Sequence, residues 1–453
     1  MNKKILLISA NQLLEPYPVY PIGISYLATY LRNNLPFIEV FSLDMNIHST
    51  EMLEILLEEK KPDYIGVSIR NIDGANSFDR SNFIPDYDRI ISIIKKKTKA
   101  PLILGGSGFS LYAEILFRRF KADFAIKGEG EIALTELINC LEKNKDYSHI
   151  EGLIYLKQGK MLFNPRRTFA SKLSVDYDED LINYYWKHSG ILNIQTKRGC
   201  YHKCIYCSYP LIEGTNVRFL EIDEIVNNIE RLKKEKNTDY IFFTDSLFNL
   251  NREKTMQLAE TLIRREININ WAAYFSPSNL IDEEMALYKK SGLTHIEFGS
   301  ESFSDTQLKN YGKSFIFEDI LKNSELALKH NIFYAHFLIL GGYGETEQTL
   351  DETFENSKLL KHTVFFPFVG MRIYPGTILH KYAIRDGVVS EDDTLLEPRY
   401  YISPNFEQTK LKQRANLTGK AWIFQGDISE QEILKFKLER KKKGLLWEYL
   451  RKP

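Results

Sequence analysis

Cysteine is scarce in this sequence: there are four in 453 residues, three of them between positions 200 and 207. A secreted, disulfide-held scaffold needs spread and paired cysteines, so this distribution excludes one and suits a reducing cytoplasm. Net charge is missing as well. Lysine plus arginine and aspartate plus glutamate number 60 each, so no overall field draws the chain to nucleic acid or to an anionic membrane. No apolar run reaches membrane-spanning length. The opening Met1-Asn-Lys-Lys-Ile-Leu-Leu-Ile-Ser-Ala has two lysines and a short apolar stretch, but Asn11, Gln12 and Glu15 follow at once without a small-residue cleavage site. A buried first strand is the reading, and a soluble cytoplasmic protein the expectation. The length allows two or three domains, and an aromatic share of 13% supplies cores and a lined pocket.

The chemistry present is concentrated in Lys197-Arg-Gly-Cys-Tyr-His-Lys-Cys-Ile-Tyr-Cys-Ser. Cys200, Cys204 and Cys207 are spaced C-x-x-x-C-x-x-C, with Tyr206 directly before the last. Three thiolates on one tight loop can ligate three irons of a cubane [4Fe-4S] cluster and leave the fourth iron open. Zinc would need a fourth protein ligand, and His202 is too close in sequence to close a relaxed tetrahedron. Cys140 lies in the apolar run Ile132-Ala-Leu-Thr-Glu-Leu-Ile-Asn-Cys-Leu and reads as a small core residue. The cysteine loop resembles the signature of radical S-adenosylmethionine (radical SAM) enzymes. The resemblance implies that the open iron takes the amino and carboxylate groups of SAM, with Cys200, Cys204 and Cys207 as the metal ligands and the catalytic core.

Residues 1–150 alternate apolar strands with amphipathic helices, from Lys4-Ile-Leu-Leu-Ile-Ser onward, which predicts an α/β doubly wound parallel sheet. Ligands on such sheets bind beyond the carboxyl ends of the strands, where Gly105, Gly106, Gly108, Gly128 and Gly130 fall. The Pro21-Ile-Gly helix start, Gly105-Gly-Ser-Gly and Gly128-Glu-Gly-Glu resemble the cobalamin (B12)-binding domain that precedes the barrel in many radical SAM enzymes. The resemblance implies cobalamin against Gly105, Gly106 and Gly128. Glycines at strand-to-helix turns also occur in doubly wound folds that hold nothing. The D-x-H-x-x-G sequence that brings a histidine to cobalt is missing, and His48 reads as a loop residue. Arg70-Asn-Ile-Asp-Gly puts a polar cluster at the end of the third strand, as a contact for cobalamin or substrate or as a solvated loop.

Residues 151–185 read as a connector with a hairpin turning at Gln158-Gly159, and residues 186–380 as six strand-helix units of a partial (β/α)6 barrel. Reactive groups then belong at the carboxyl ends of its strands. Further segments carry the radical SAM resemblance here. Thr244-Asp-Ser-Leu-Phe-Asn matches the turn that holds the methionine amine of SAM, which implies Asp245. Gly299-Ser-Glu-Ser matches a G-x-E-S segment that meets the SAM ribose or amino acid, which implies Glu301 and Ser302. Gly341-Gly-Tyr-Gly-Glu-Thr resembles a glycine-proline turn passing the adenine at Gly341 and Gly342, with Tyr343 in place of the proline. Tyr206 is placed beside the adenine. His295, His336, Tyr274 and Arg372 lie on strands and serve either as proton-transfer or anchoring groups in the barrel or as satisfied core residues. Residues 381–453 form an α-rich cap: Leu395-Leu-Glu-Pro-Arg-Tyr-Tyr-Ile-Ser-Pro as a lid, Arg440-Lys-Lys-Lys as a solvated helix face, Leu445-Leu-Trp-Glu-Tyr-Leu as a packing helix.

The resemblance implies an enzyme that reductively cleaves SAM at the cluster to give a 5'-deoxyadenosyl radical. The favoured chemistry is cobalamin-dependent C-methylation of a small metabolite. The alternative is a cobalamin-free radical dehydratase, epimerase or rearrangement enzyme of aminoglycoside-type metabolism. Transfer-RNA methylthiolation fits less well, because such enzymes carry extra cluster cysteines in their first domain and this chain has only Cys140 there. A non-enzymatic cluster-binding protein is the remaining alternative. The expected partners are a small substrate and an electron donor such as flavodoxin or ferredoxin, with no nucleic acid and no membrane.

Overall fold

The computed structural model describes residues 2–14, 17–75, 77–78, 81–170, 173–404, 406–427 and 442–451. Two compact units emerge: residues 1–74, 81–185 and 211–213 form the first, and residues 75–80, 186–210 and 214–453 the second.

The first unit is built on strands β1 (Lys3–Ser9), β2 (Ile38–Asp44), β3 (Tyr64–Ser68), β4 (Leu102–Gly105), β5 (Phe124–Ile126), β6 (Leu153–Lys157) and β7 (Lys160–Phe163). They pair in the order β2-β1-β3-β4-β5-β6-β7. The first five run parallel, and the last two join as an antiparallel hairpin. The hairpin read as a connector is therefore the edge of this sheet, its register set by Ala125 opposite Ile154.

Apolar character on both faces explains why β1 sits inside. Ile5 and Leu7 pack with Ile24, Leu31, Leu134 and Ile138 of helices Ile22–Asn34 and Glu131–Glu142. Leu6 and Ile8 point to the opposite face by strand alternation. Each fully buried aliphatic side chain contributes about 1.5–3 kcal/mol. Cys140 belongs to this core.

The second unit contains β8 (Leu192–Ile194), β9 (Lys197–Arg198), β10 (Arg218–Phe219), β11 (Tyr240–Phe243), β12 (Asn270–Phe275), β13 (Leu293–Glu301), β14 (Phe333–Leu340), β15 (Val364–Val369), β16 (Met371–Arg372), β17 (Tyr400–Tyr401) and β18 (Ala421–Trp422). Seven of them form one parallel sheet in the order β18-β15-β14-β13-β12-β11-β8. The six expected strands are all there, and β18, from the C-terminal segment, adds a seventh beside β15.

One face of the sheet is dry. Leu338, Leu340, Phe365 and Val369 bury against Leu350 and Phe354 of helix Glu347–Ser357 and against Leu411. The alternate residues of the same strands face the inside of the partial barrel.

The segment read as a lid is instead tied to β16 in a separate two-stranded ribbon. β17 pairs with β16, and the Arg372 guanidinium donates to the carbonyls of Ile373 and Leu395. The run 440–443 lies partly outside the described residues. The short helix Trp447–Leu450 seals the amino end of the barrel, where the Trp447 indole donates to Glu297 Oε1 (3.1 Å) and Glu448 pairs with His295 (3.0 Å).

Candidate functional site

The cysteine loop is held from four sides by its own unit. Beneath it, Asp245 accepts from the backbone of Thr196 (2.8 Å) and Lys197 (3.2 Å), from the Thr196 hydroxyl (2.5 Å) and from Lys197 Nζ (2.8 Å). Both charged side chains of that pair are fully buried. Gly199 enters the loop at φ +91°, where an added Cβ would meet the Asn216 carbonyl at 2.2 Å, so only glycine fits. The Cys200 amide donates to the Gly214 carbonyl, and the Cys207 amide to that of Cys204. Ile205 bonds through its backbone to both Tyr311 and Leu379.

Lys313 reaches the loop through the turn after helix Asp305–Asn310. Gly312 (φ +75°) allows this approach, since a Cβ there would stand 2.7 Å from the Lys203 carbonyl. The ammonium lies 3.2 Å from Glu301 Oε1, and the Tyr206 hydroxyl donates to the same oxygen at 2.6 Å. Burial alone would lower the Lys313 pKa, yet Glu301 and the thiolates of Cys204 and Cys207 hold it above its ordinary value. Burial pushes the Cys207 thiol up to about 12 and raises Cys200, while Lys313 acts in the opposite sense on both. Glu301 sits at a register shift in β13 with φ +66°. A left-handed non-glycine residue costs of order 1–3 kcal/mol and persists where its surroundings over-determine it; here Tyr206 and Lys313 do so.

The three thiols share one loop and one neighbouring cation, with Lys313 coupled to all of them. Among the described residues no three His, Cys, Asp or Glu side chains close on a single ion. A cubane spreads its thiolates over three irons, so the donor set fits a cluster better than a mononuclear centre.

Of the other residues singled out in the sequence, Tyr206 and Glu301 come together at this loop and two depart from their expected roles. Asp245 is 1% exposed and spends its oxygens on Thr196 and Lys197; it clamps the strand beneath the cysteines and offers nothing to an amine. Ser302 is fully buried and bonds Thr353 Oγ1 on helix Glu347–Ser357, away from the loop. The Gly341-Gly342 turn is held by contacts within the chain: Cβ atoms there would stand 2.5 Å from the Phe406 ring and from the Tyr311 hydroxyl. Tyr343, in the place of a proline, is fixed by a tilted ring contact with Tyr382 and by a bond from Arg385.

His336 turns to the dry face, fully buried against Ser300, and burial takes its pKa down to about 3. His295 and Arg372 are spent on Glu448 and on backbone carbonyls. Tyr274 remains on the inner wall, 38% exposed. Lys313 was not legible beforehand; its only sequence signal is a lysine directly after a glycine, twelve residues past Glu301.

In the first unit, Gly106 (φ +104°) is required by the chain itself, because a Cβ would stand 2.5 Å from the Ile69 carbonyl. Gly128 (φ +85°) donates to Ser110 Oγ. Gly105 is different: the nearest atom to an added Cβ is 3.7 Å away, at an ordinary φ. Gly23, in the first turn of helix Ile22–Asn34, would place a Cβ in open space. A glycine there costs helix stability with no steric reason inside the protein. Asn11, just past β1, is 3% exposed with Oδ1 unpartnered, and Asn46 Oδ1, past β2, is unpartnered too. Open glycines and orphaned amide oxygens at the carboxyl edge fit a bulky polar ligand such as a corrin. His48 lies in the turn after β2 and Arg70 is exposed at the end of β3.

Two family signatures match this chain: the radical SAM superfamily over residues 194–356 and the B12 binding domain over residues 16–138. The chain thus joins a B12-binding domain to a radical SAM domain. Over nearly its whole length it is similar to an uncharacterized methyltransferase of Pyrococcus horikoshii, at 23% identity across 95% of this chain and 94% of that protein. It is also similar to the tryptophan 2-C-methyltransferase of Streptomyces laurentii, at 23% identity across 82% of this chain and 73% of the relative. In fold it is similar to the radical S-adenosylmethionine methyltransferase TsrM from Kitasatospora setae, solved with cobalamin and a [4Fe-4S] cluster bound. That match has a TM-score of 0.80 at 24% identity, across 85% of this chain and 75% of the other. Among the described residues no helix is long and apolar enough to cross a membrane.

Proposed function

We propose that this protein is a cobalamin-dependent radical SAM methyltransferase acting on carbon of a small metabolite. The arrangement of Cys200, Cys204 and Cys207 beside the Glu301–Lys313–Tyr206 triad carries the reading. When bound, the cluster and cobalamin supply reductive cleavage of SAM and a methyl carrier.

The chain's own residues do the rest. The three cysteines would hold the cluster. Lys313 and Glu301 offer adjacent positive and negative groups, complementary to the carboxylate and ammonium of an amino acid. Tyr206 fixes the Glu301 carboxylate from the second side. The Lys197–Asp245 clamp keeps the loop from shifting. Buried surroundings strengthen these interactions and keep water from the reacting carbon.

The electron comes from a donor of the flavodoxin or ferredoxin class in the cytoplasm. Support for cobalamin over a cofactor-free dehydratase or epimerase comes from the first unit, where Asn11 and Asn46 keep unpartnered oxygens and Gly23 stays open at the edge.

The test is anaerobic purification and reconstitution, followed by iron, sulfide and cobalt analysis, corrin absorbance, and assay with labelled SAM. Cluster, cobalt and label transfer to an added metabolite are expected. A cobalt-free protein that still cleaves SAM would favour the dehydratase or epimerase reading.

A further inference from the structure

We propose that the inner wall of the second unit's sheet is a substrate subsite for a flat aromatic ring that carries no negative charge. The inference rests on the radical SAM reading and adds a substrate class to it. Strand alternation turns Tyr274 of β12, Gly299 of β13, Phe337 of β14, and Phe366 and Phe368 of β15 to the inside of the barrel. Their register holds them in neighbouring positions: Phe337 is paired with both Gly299 and Phe366, and Tyr274 with Glu297.

The rings form one continuous wall. Phe337 is stacked on Phe366 with centroids 5.2 Å apart and lies within 24° of parallel to Phe368. Tyr274 meets the Phe337 ring edge-on at 6.2 Å. Tyr274 and Phe368 are each 38% exposed, so part of the wall stays accessible. At Gly299 an added Cβ would meet only Glu301 Oε1, at 3.4 Å. Where the tier would otherwise be filled by another side chain there is room beside the aromatic faces. A second flat ring gains from stacking on such faces beyond its area burial.

The charge pattern sets the other half of the specificity. Glu297, one step deeper on the same face, is 3% exposed and bonded by Trp447 and Tyr274. Both groups that bond it are neutral donors. A phosphate or carboxylate pushed to this depth would meet a carboxyl group and aromatic faces. Lys313 is engaged by Glu301 and, on the proposed function, by the carboxylate of SAM.

The test is a ligand-observed NMR titration of the reconstituted holoprotein, saturated with SAM so that the adenine position is occupied. The probes are phenylethanol, its saturated counterpart cyclohexylethanol, and phenethyl phosphate. Phenylethanol is expected to bind about tenfold tighter than cyclohexylethanol, and the phosphate more weakly than either. Phe368→Leu, at an exposed position where folding is spared, should remove most of the aromatic preference, and Phe366→Leu should do the same from the adjoining ring. Equal affinity for the two alcohols, phosphate binding as tight as phenylethanol, or an undiminished preference in both variants would overturn the proposal. SAM cleavage without substrate is scored separately. A protein that cleaves SAM but shows no aromatic preference loses this proposal alone, and one that shows the preference without cleaving SAM loses the radical SAM reading alone.

Discussion

At the carboxyl edge of the second unit, Lys197 and Asp245 are fully buried against each other, and Glu301, Lys313 and Tyr206 share one carboxylate oxygen. At the corresponding edge of the first unit the polar atoms past β1 and β2 are neutral amides with oxygens unpartnered, and glycines stand where side chains would fit. The second sheet and the first five strands of the first are parallel, the arrangement in which ligands bind beyond the carboxyl edge. On the proposed function the second edge would bind by pre-arranged charge, which needs an over-determined scaffold. The first would bind by shape, which needs the chain to stay out of the way. Substitutions at the second should therefore damage folding and chemistry together, and those at the first should separate them.

The largest effect belongs to the cysteines. Alanine at Cys200, Cys204 or Cys207 is expected to eliminate the cluster iron and with it SAM cleavage, measured by iron assay and by 5'-deoxyadenosine release. Next is Asp245→Ala, which strands the Lys197 ammonium in the interior; breaking such a pair costs about 3–5 kcal/mol, read as a shifted denaturant midpoint. Had Asp245 been a ligand for the SAM amine, the loss would fall on SAM affinity with stability intact. Lys313→Met removes a charge-assisted contact of about 1.5–3 kcal/mol, so SAM binding should weaken by about 10- to 100-fold in a calorimetric titration, while Lys313→Arg recovers part of it.

A pH effect of intermediate size follows from two buried carboxyls of the second unit. Burial raises Glu297 and Glu345 from the ordinary 4.5 to about 7. Between those values the folded form holds protons that the unfolded form has released. Stability is therefore fully present below about pH 4.5, falls as pH rises toward 7, and levels off above. The expected slope amounts to roughly 1–3 kcal/mol for each group across that window. Glu297→Gln should flatten it in thermal melts taken from pH 5 to 8. The smallest effect is Gly23→Ala: it should stabilise the cobalamin-free protein by up to about 1 kcal/mol while lowering cobalamin retention. If retention is unchanged, the open glycine is incidental and the contrast between the two edges weakens.

The strands were legible because their residues are apolar on both faces over short runs, and the cysteine loop because its spacing leaves little other use for three thiols. Side-chain direction at strand ends was not. Asp245 has the charge and position of a ligand, but whether an acid at a strand terminus points outward or back under the preceding loop depends on Thr196 and Lys197, about fifty residues away. Ser302 was misjudged for the same reason, since a register shift at β13 decides which face it occupies, and His336 stood between two readings that a one-residue alternation separates. Lys313 escaped because its role arises from Gly312 approaching the Lys203 backbone, a contact between segments about a hundred residues apart.

The most direct test is electron paramagnetic resonance of the reduced, reconstituted protein before and after SAM is added. A [4Fe-4S] signal whose g-values shift on SAM addition, and which is absent from Cys204→Ala, is the predicted result. A signal indifferent to SAM, or one that survives in that variant, would contradict the account.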